Sequence, residues 1–169
     1  MPGNMILKTK LQYPGKNPKA LRKVATKAAR RGNLAMGIFW RKEIFHQHFE
    51  QAYQDEYLYR ARNREYLQRK LRKFGHQDPL VYTGVARRTV MAAYEIKASA
   101  KHVSVKMPSP EAWKLSQDKP RMPNMRFEAR TFSERDYAEL AKEAMTAYKD
   151  VMNDPTQYDK EPTKTIITT

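Results

Sequence analysis

The chain has 169 residues, a length that fits one domain and lets such a domain bury roughly 70% of the surface its unfolded form exposes. It holds no cysteine, which excludes disulfides and thiolate metal sites and makes synthesis in a reducing cytoplasm the simplest reading. A net charge of +15 and a mean hydropathy of −0.87 point to a small core under a heavily charged surface.

The longest nearly uncharged apolar run, Leu34 to Trp40, is far too short for a bilayer span, and no basic-then-apolar leader opens the chain. The charge is uneven. Residues 1–75 hold 18 Lys/Arg against 5 Asp/Glu, a balance of +13; residues 76–169 hold 15 against 13, a balance of +2. Such asymmetry suggests one surface facing a polyanion or acidic partner and another packing against protein.

In chain order, residues 5–13 alternate, with Met5, Leu7, Leu11 and Tyr13 on one side, which predicts a half-buried strand. Pro14-Gly15 turns the chain, and Asn17-Pro18 starts a helix, with Asn as N-cap and Pro at the first helical position. That helix carries Leu21, Ala25 and Ala28 on one stripe. Gly32-Asn33 either ends or kinks it, and a second helical stretch runs from Leu34 to about Tyr53 with Ile38, Phe45 and Phe49 at helical spacing.

The segment from Tyr59 to Phe74 holds seven Lys/Arg. As a helix it places Leu67, Leu71 and Phe74 on an apolar stripe and Arg62, Tyr66, Arg69 and Lys73 on another face, with Gly75 closing it in the left-handed conformation. Thr89–Lys97 and His102–Met107 read as strands joined as a hairpin through Ala98–Lys101. Pro108–Pro123 reads as an exposed loop and Arg126–Phe132 as a last strand.

Ser133-Glu134-Arg135-Asp136 has the form of a capping box. The helix behind it carries Tyr137, Ala141, Ala144, Tyr148 and Val151 on one stripe, with Leu140 and Met145 beside it, until Asn153-Asp154-Pro155 stops it. Residues 1–152 then form one domain and 153–169 an extended or disordered arm. The fold class is α/β in the α+β sense: a small, mainly antiparallel sheet packed by long N-terminal helices and a C-terminal helix.

No P-loop, dinucleotide fingerprint, nucleophile elbow or metalloprotease helix is present. His46 and His48 diverge on a helix, His76 and His102 stand alone, and Asp55 and Glu56 are adjacent and would point apart. No catalytic residue, cofactor or metal is expected. Two classes of protein remain. One is a basic nucleic-acid binder of ribosomal or architectural type, for which Arg62, Tyr66, Arg69 and Lys73 mix cations with an aromatic, although no RNP motif, KH loop or zinc knuckle accompanies them. The other is an interaction subunit of a larger assembly.

The stretch from Arg64 to Thr89, REYLQRKLRKFGHQDPLVYTGVARRT, resembles the central signature of neck, tail-completion and virion-morphogenesis proteins of tailed bacteriophages. In that family a lysine-rich segment ending near a glycine leads to Pro-Leu, then Thr-Gly, then a basic or hydroxyl-bearing residue entering a strand. Pro79, Leu80, Thr83, Gly84, Arg87 and Thr89 occupy those positions. Arg130-Thr131-Phe132-Ser133 and Asp136 sit where the family often has Arg-Pro-Phe and a helix with an early acid, Thr131 replacing the proline. Pro108–Pro123 departs from the family's loop, which often carries a His-Gln-x-Gly-like stretch.

The resemblance implies a structural virion protein, made in the host cytoplasm, joining head and tail or completing the tail. Its implied form is one subunit of a homo-oligomeric ring around the DNA channel, without membrane contact. Its implied partners are portal or adaptor proteins, tail-tube or terminator proteins, and genomic DNA contacted without regard to sequence. Arg62, Tyr66, Arg69 and Lys73 would face DNA or partners, and Pro79 to Thr89 would shape the link from helix to sheet.

Overall fold

A run of Ala, Lys, Arg and Leu after Pro18 favours helix, and a computed structural model of the chain shows α1 at Pro18–Phe39. The structure describes residues 18–81, 84, 87–88, 91, 93–106, 128, 130–154 and 164–168. The strand expected at 5–13, the Pro14-Gly15 turn, Asn17 as cap and the Pro108–Pro123 loop lie outside these residues. The other elements are α2 (Arg64–Phe74), β1 (Ala93–Ala98), β2 (Val103–Lys106), α3 (Glu134–Asn153) and β3 (Lys164–Thr168). Mixed helix and sheet is the α+β class expected.

The chain divides into two compact units. The first comprises residues up to Trp40, 95–106 and 138–166; the second comprises 41–94, 107–137 and 167–169.

In the first unit, β1 and β2 pair antiparallel, with Ile96 opposite Val105 and Ala98 opposite Val103. This is the hairpin read from the sequence, except that Met91, expected in the strand Thr89–Lys97, is helical, and β1 runs from Ala93 through Ala98. Its connection is held by the Ser99 N–H donating to the His102 carbonyl (2.9 Å), while Ser99 Oγ accepts the Lys101 and His102 N–H groups. β3 joins on the other side of β1, giving the order β2-β1-β3, so part of the C-terminal tail is strand. α1 packs on β2, and the core of this unit is Ala28, Leu34, Met36, Ile96, Leu140, Ala144 and Val151.

Gly32 does not end α1, which runs through it to Phe39. A Cβ there would sit 2.8 Å from the Ala144 carbonyl oxygen, so the glycine is what lets α1 and α3 approach backbone to backbone. Gly37 serves the sheet in the same way, since a Cβ would lie 2.7 Å from Val103 Cγ2 and 3.1 Å from Ile96 Cγ2. Asn33, buried beside Gly32, donates from Nδ2 to the Ser99 carbonyl at 2.7 Å and ties the helix to the hairpin connection.

Gly32→Ala should therefore lower stability, although alanine is the better helix former by about 1 kcal/mol. Overpacking against a backbone carbonyl costs about 1–3 kcal/mol, for an expected net loss of up to about 2 kcal/mol. Urea denaturation reads it, and a stabilised variant would contradict the close approach.

The second helical stretch expected from Leu34 to Tyr53 is not one. α1 ends at Phe39, a π-helical turn spans Trp40–Ile44, and 3-10 turns follow at Phe45–Phe49 and Gln51–Tyr53. The widened turn coincides with the burial of Arg41, whose guanidinium lies over Tyr94 (4.6 Å) and Phe45 (5.3 Å) and whose Nη1 donates to Met91 Sδ at 3.1 Å. Desolvation lowers the Arg41 pKa, and the neighbouring Tyr94 opposes that shift. Residues 45 and 49 still meet, as an edge-to-face pair 5.3 Å apart.

The expected strand at Arg126–Phe132 is not formed at its described residues: Glu128 is helical, Arg130 lies in a turn and Thr131–Phe132 are irregular. The capping box is present. The Ser133 N–H donates to Asp136 Oδ2 at 3.0 Å and the Asp136 N–H to Ser133 Oγ at 3.1 Å. The stripe expected behind it is displaced. Leu140, Ala144 and Val151 are buried, whereas Tyr137, Ala141 and Met145 are exposed. The inward row begins at Asp136, which is fully buried, and a carboxylate at its head hides the row from any reading of apolar spacing.

Candidate functional site

α2 is the most basic exposed element of the second unit, and local chemistry delimits it at both ends. Asn63 Oδ1 accepts the N–H groups of Glu65 (2.7 Å) and Tyr66 (3.4 Å), which fixes the start one residue beyond Arg62. Gly75, at φ 75°, closes the helix as expected, its N–H donating to the Leu71 carbonyl at 2.8 Å. Arg64, Arg69, Arg72 and Lys73 are exposed and Tyr66 is half-buried. Tyr66, Arg69, Arg72 and Arg64 line an open depression of about 700 Å³.

Two cations of this segment do something else. Arg62, expected on the DNA-facing surface, precedes the helix and is held in a bidentate pair with the nearly buried Glu128, Nη1 to Oε1 at 2.8 Å and Nη2 to Oε2 at 2.5 Å. Its Nη1 also donates to the Arg60 carbonyl at 2.7 Å, and the Arg60 N–H donates to Glu128 Oε1 at 3.3 Å. The helix begins after Arg62, so its side chain follows the preceding loop rather than the face of Arg69 and Lys73. The expected surface is thus corrected to Tyr66, Arg69 and Lys73, joined by Arg64 and Arg72.

Lys70 is the other exception. It is the buried residue of α2, Nζ donating to the Asp78 carbonyl and lying 6.0 Å from the centre of the Tyr66 ring. Burial lowers its pKa, Asp78 acting in the opposite direction. The expected apolar stripe is accordingly weak: Leu67 and Phe74 are half-buried and Leu71 is exposed.

Lys70 pins α2 to the segment that carried the family resemblance. Pro79 is buried there, and Leu80 and Gly84 both take positive φ, 53° and 77°. The Arg88 N–H donates to the Gly84 carbonyl at 3.0 Å, and Arg87 and Arg88 form a helical turn. A cavity of about 460 Å³ is lined by Phe74, His76, Val81, Gly84, Arg87 and Arg88, with Asp78 at its edge. Thr83 and Thr89 lie outside the described residues.

Sequence reasoning missed a buried polar network built from distant positions. His48 stacks on Tyr57 at 4.0 Å, and its Nδ1 is 2.7 Å from the Tyr59 hydroxyl, which also reaches the His48 carbonyl at 3.2 Å. The Tyr57 hydroxyl faces Gln47 Oε1 (3.1 Å) and Asp136 Oδ1 (3.4 Å), and Arg135 bonds Gln47 (2.5 Å) and Glu56 (3.3 Å). Desolvation pushes His48 down to about 4, with a backbone interaction from Glu128 acting against it. It also raises both tyrosines, reinforced at Tyr57 by Asp136 and at Tyr59 by Glu128.

The remaining histidines are dispersed, His46 facing Glu50 at 3.8 Å, His76 facing Asp78 at 3.8 Å and His102 beside Ser99 Oγ at 3.1 Å. Among the described residues no three His, Asp or Glu gather as metal ligands. No helix described is long and apolar enough to cross a membrane.

In the first unit, α1 carries Lys19, Arg22, Lys23, Lys27, Arg30 and Arg31 without one Asp or Glu in its 22 residues. Lys19, Arg22 and Lys23 are exposed. No protein-family model, curated protein or solved structure matches the chain.

Proposed function

We propose that the chain is a non-catalytic structural subunit of the joint between head and tail of a tailed bacteriophage, or of its completed tail, working in a closed ring around the DNA path. The observation that carries this reading is the segment from 64 to 88. A basic segment with a glycine close, then Pro79-Leu80, then Gly84, leads toward an antiparallel hairpin in the order of the resembling family, and here the helix cap, the Lys70 anchor and the two left-handed positions hold that link. A ring subunit needs no reacting groups; it needs a rigid link and complementary faces. Portal or adaptor and tail-tube or terminator proteins are its proposed neighbours, and the virion its proposed location.

The exposed charge of α2 fits a surface for acidic partners or for DNA read without regard to sequence, because Arg and Lys on a solvent-facing helix neutralise phosphates, and phosphate contacts carry no sequence information. Arg69→Gln with Lys73→Gln keeps helix propensity and leaves the Arg62–Glu128 pair intact. We expect normal folding, intact heads and tails, and at least a tenfold loss of joined particles. Mass measurement on assembled joints should give several copies per particle. A single copy per particle, or full assembly by the variant, would sink the reading.

A further inference from the structure

We infer that the N-terminal half of α1 is a second, separate surface that binds nucleic-acid phosphate backbone, without sequence preference, through Lys19, Arg22 and Lys23. The inference goes beyond the head–tail reading, which places its charge on α2, and it arises from the exposed like charge that α1 concentrates at Lys19, Arg22 and Lys23.

At 100° per residue, Lys19, Arg22, Lys23, Thr26, Lys27 and Arg30 fall within an arc of about 140°. The opposite side holds Ala28 and Gly32, both buried. Five like-charged pairs stand at helical neighbour spacing on or beside this arc: Lys19–Lys23, Lys23–Lys27, Lys27–Arg31, Lys19–Arg22 and Lys27–Arg30. Each such pair disfavours the helix by about 0.2–0.5 kcal/mol. The first turn contains no acid and does contain Lys19, which sets a cation against the positive end of the helix dipole.

Solubility does not demand this arrangement. α3 is of similar length and meets solvent with four Asp/Glu and three Lys/Arg mixed along it, its fifth acid, Asp136, being buried. At Lys19, Arg22 and Lys23 a polyanion turns that cost into a gain.

The chemistry of the arc selects the kind of polyanion. Protein interfaces centre on apolar and aromatic anchors and are depleted in lysine. The exposed residues here are Lys19, Arg22, Lys23 and Thr26, and the large exposed apolar side chains among the described residues, Leu58, Leu71, Tyr137 and Met145, all lie elsewhere. Thr26 turns its hydroxyl back onto the Arg22 carbonyl at 2.7 Å, so it supplies no directional donor for reading a base edge. From Lys19 to Lys23 the row is about 6 Å long at 1.5 Å per residue. That length matches about two phosphate rises of one strand, or three successive phosphates, at 3.4 Å per rise. A row of cations without apolar anchors or base-reading groups fits a phosphate backbone.

The test uses the full chain and its Lys19→Gln/Arg22→Gln/Lys23→Gln variant, titrated by fluorescence anisotropy against two 30-base-pair duplexes of unrelated sequence between 50 and 200 mM NaCl. The parent should bind both duplexes equally. Three lost phosphate contacts should flatten the slope of log K against log salt by about 2.7 and weaken binding at 100 mM at least tenfold. The variant's melting temperature should stay equal or rise, since three of the five like-charge pairs are gone; this separates loss of contact from loss of fold.

Equal affinity and slope in parent and variant would overturn the inference, as would a parent that binds neither duplex. Competition by poly-L-glutamate as strong as by DNA of equal charge would also overturn it, and would assign the surface to an acidic protein. If only Arg69→Gln/Lys73→Gln loses binding, this inference fails while the head–tail reading stands. That reading fails on its own measurement, copies per particle, whatever the duplex titration gives.

Discussion

Glu128→Ala should destabilise the second unit by about 2–4 kcal/mol, one of the two largest effects expected here. Glu128 is almost fully buried and accepts two N–H bonds from the Arg62 guanidinium, whose side chain is 16% exposed. Removing the carboxylate leaves a largely desolvated cation with the Arg60 carbonyl as its described remaining partner. Breaking a buried pair from one side costs about 3–5 kcal/mol, and partial solvent access to Arg62 moves the expectation toward the lower end.

The double variant Arg62→Met/Glu128→Leu removes both charges and should recover most of the loss, because no charge is left unpaired and the N–H and carbonyl freed at Arg60 belong to an exposed residue that water reaches. Urea denaturation of the parent, both single variants and the double variant completes the cycle. A loss below about 0.5 kcal/mol for Glu128→Ala would show that the pair is solvated. The same variant bears on function. Arg62 counted toward a DNA-facing surface when only its position in a basic run was known, and its replacement would weaken assembly simply by weakening the fold.

That example marks which parts of this chain were legible beforehand. Features decided within a few residues could be read directly: the Pro18 start of α1, the Gly75 close of α2, the Ser133/Asp136 capping box and the β1–β2 hairpin all rest on local hydrogen bonds and backbone preferences. Features decided by a partner far along the chain could not. Gly32 carries the same signature whether it breaks a helix or admits a neighbouring backbone, and only Ala144 distinguishes the two. Lys70 is one of five cations on α2, and nothing in its spacing says that it alone turns inward to the Asp78 carbonyl. Leu80 takes a left-handed conformation that leucine does not advertise.

The candidate surface follows the same division. Arg69 and Lys73 are exposed, as helical spacing alone predicts. Arg62 was misplaced because its capping neighbour Asn63 and its partner Glu128 outweigh its charge. The acid-free stripe of α1 was visible in the residues from the start, but its weight comes from exposure and from the packing of the opposite side at Ala28 and Gly32.

Acid should weaken the second unit through His48. In the folded chain the imidazole is fully buried, stacked on Tyr57 and bonded to the Tyr59 hydroxyl, and desolvation holds its pKa at about 4 against 6.5 when unfolded. Above pH 6.5 both states carry a neutral ring and its contribution to stability is complete. Between pH 6.5 and 4 the unfolded chain takes up a proton that the folded chain refuses, so stability falls with pH; below about 4 both are protonated and the loss is complete. A difference of about 2.5 units corresponds to about 3 kcal/mol at 1.36 kcal/mol per unit.

Other groups titrate in the same window, so the diagnostic is a difference between two proteins. His48→Phe keeps an aromatic ring for Tyr57 to stack on and leaves the Tyr59 hydroxyl its second partner, the backbone carbonyl of residue 48 at 3.2 Å. Unfolding free energies from urea titrations at half-unit steps from pH 4 to 7.5 should show the parent losing about 3 kcal/mol more than the variant as pH falls. The two curves should run parallel above pH 7. Parallel curves across the whole range would mean that His48 takes its proton in place, and that the buried stack does not exclude charge.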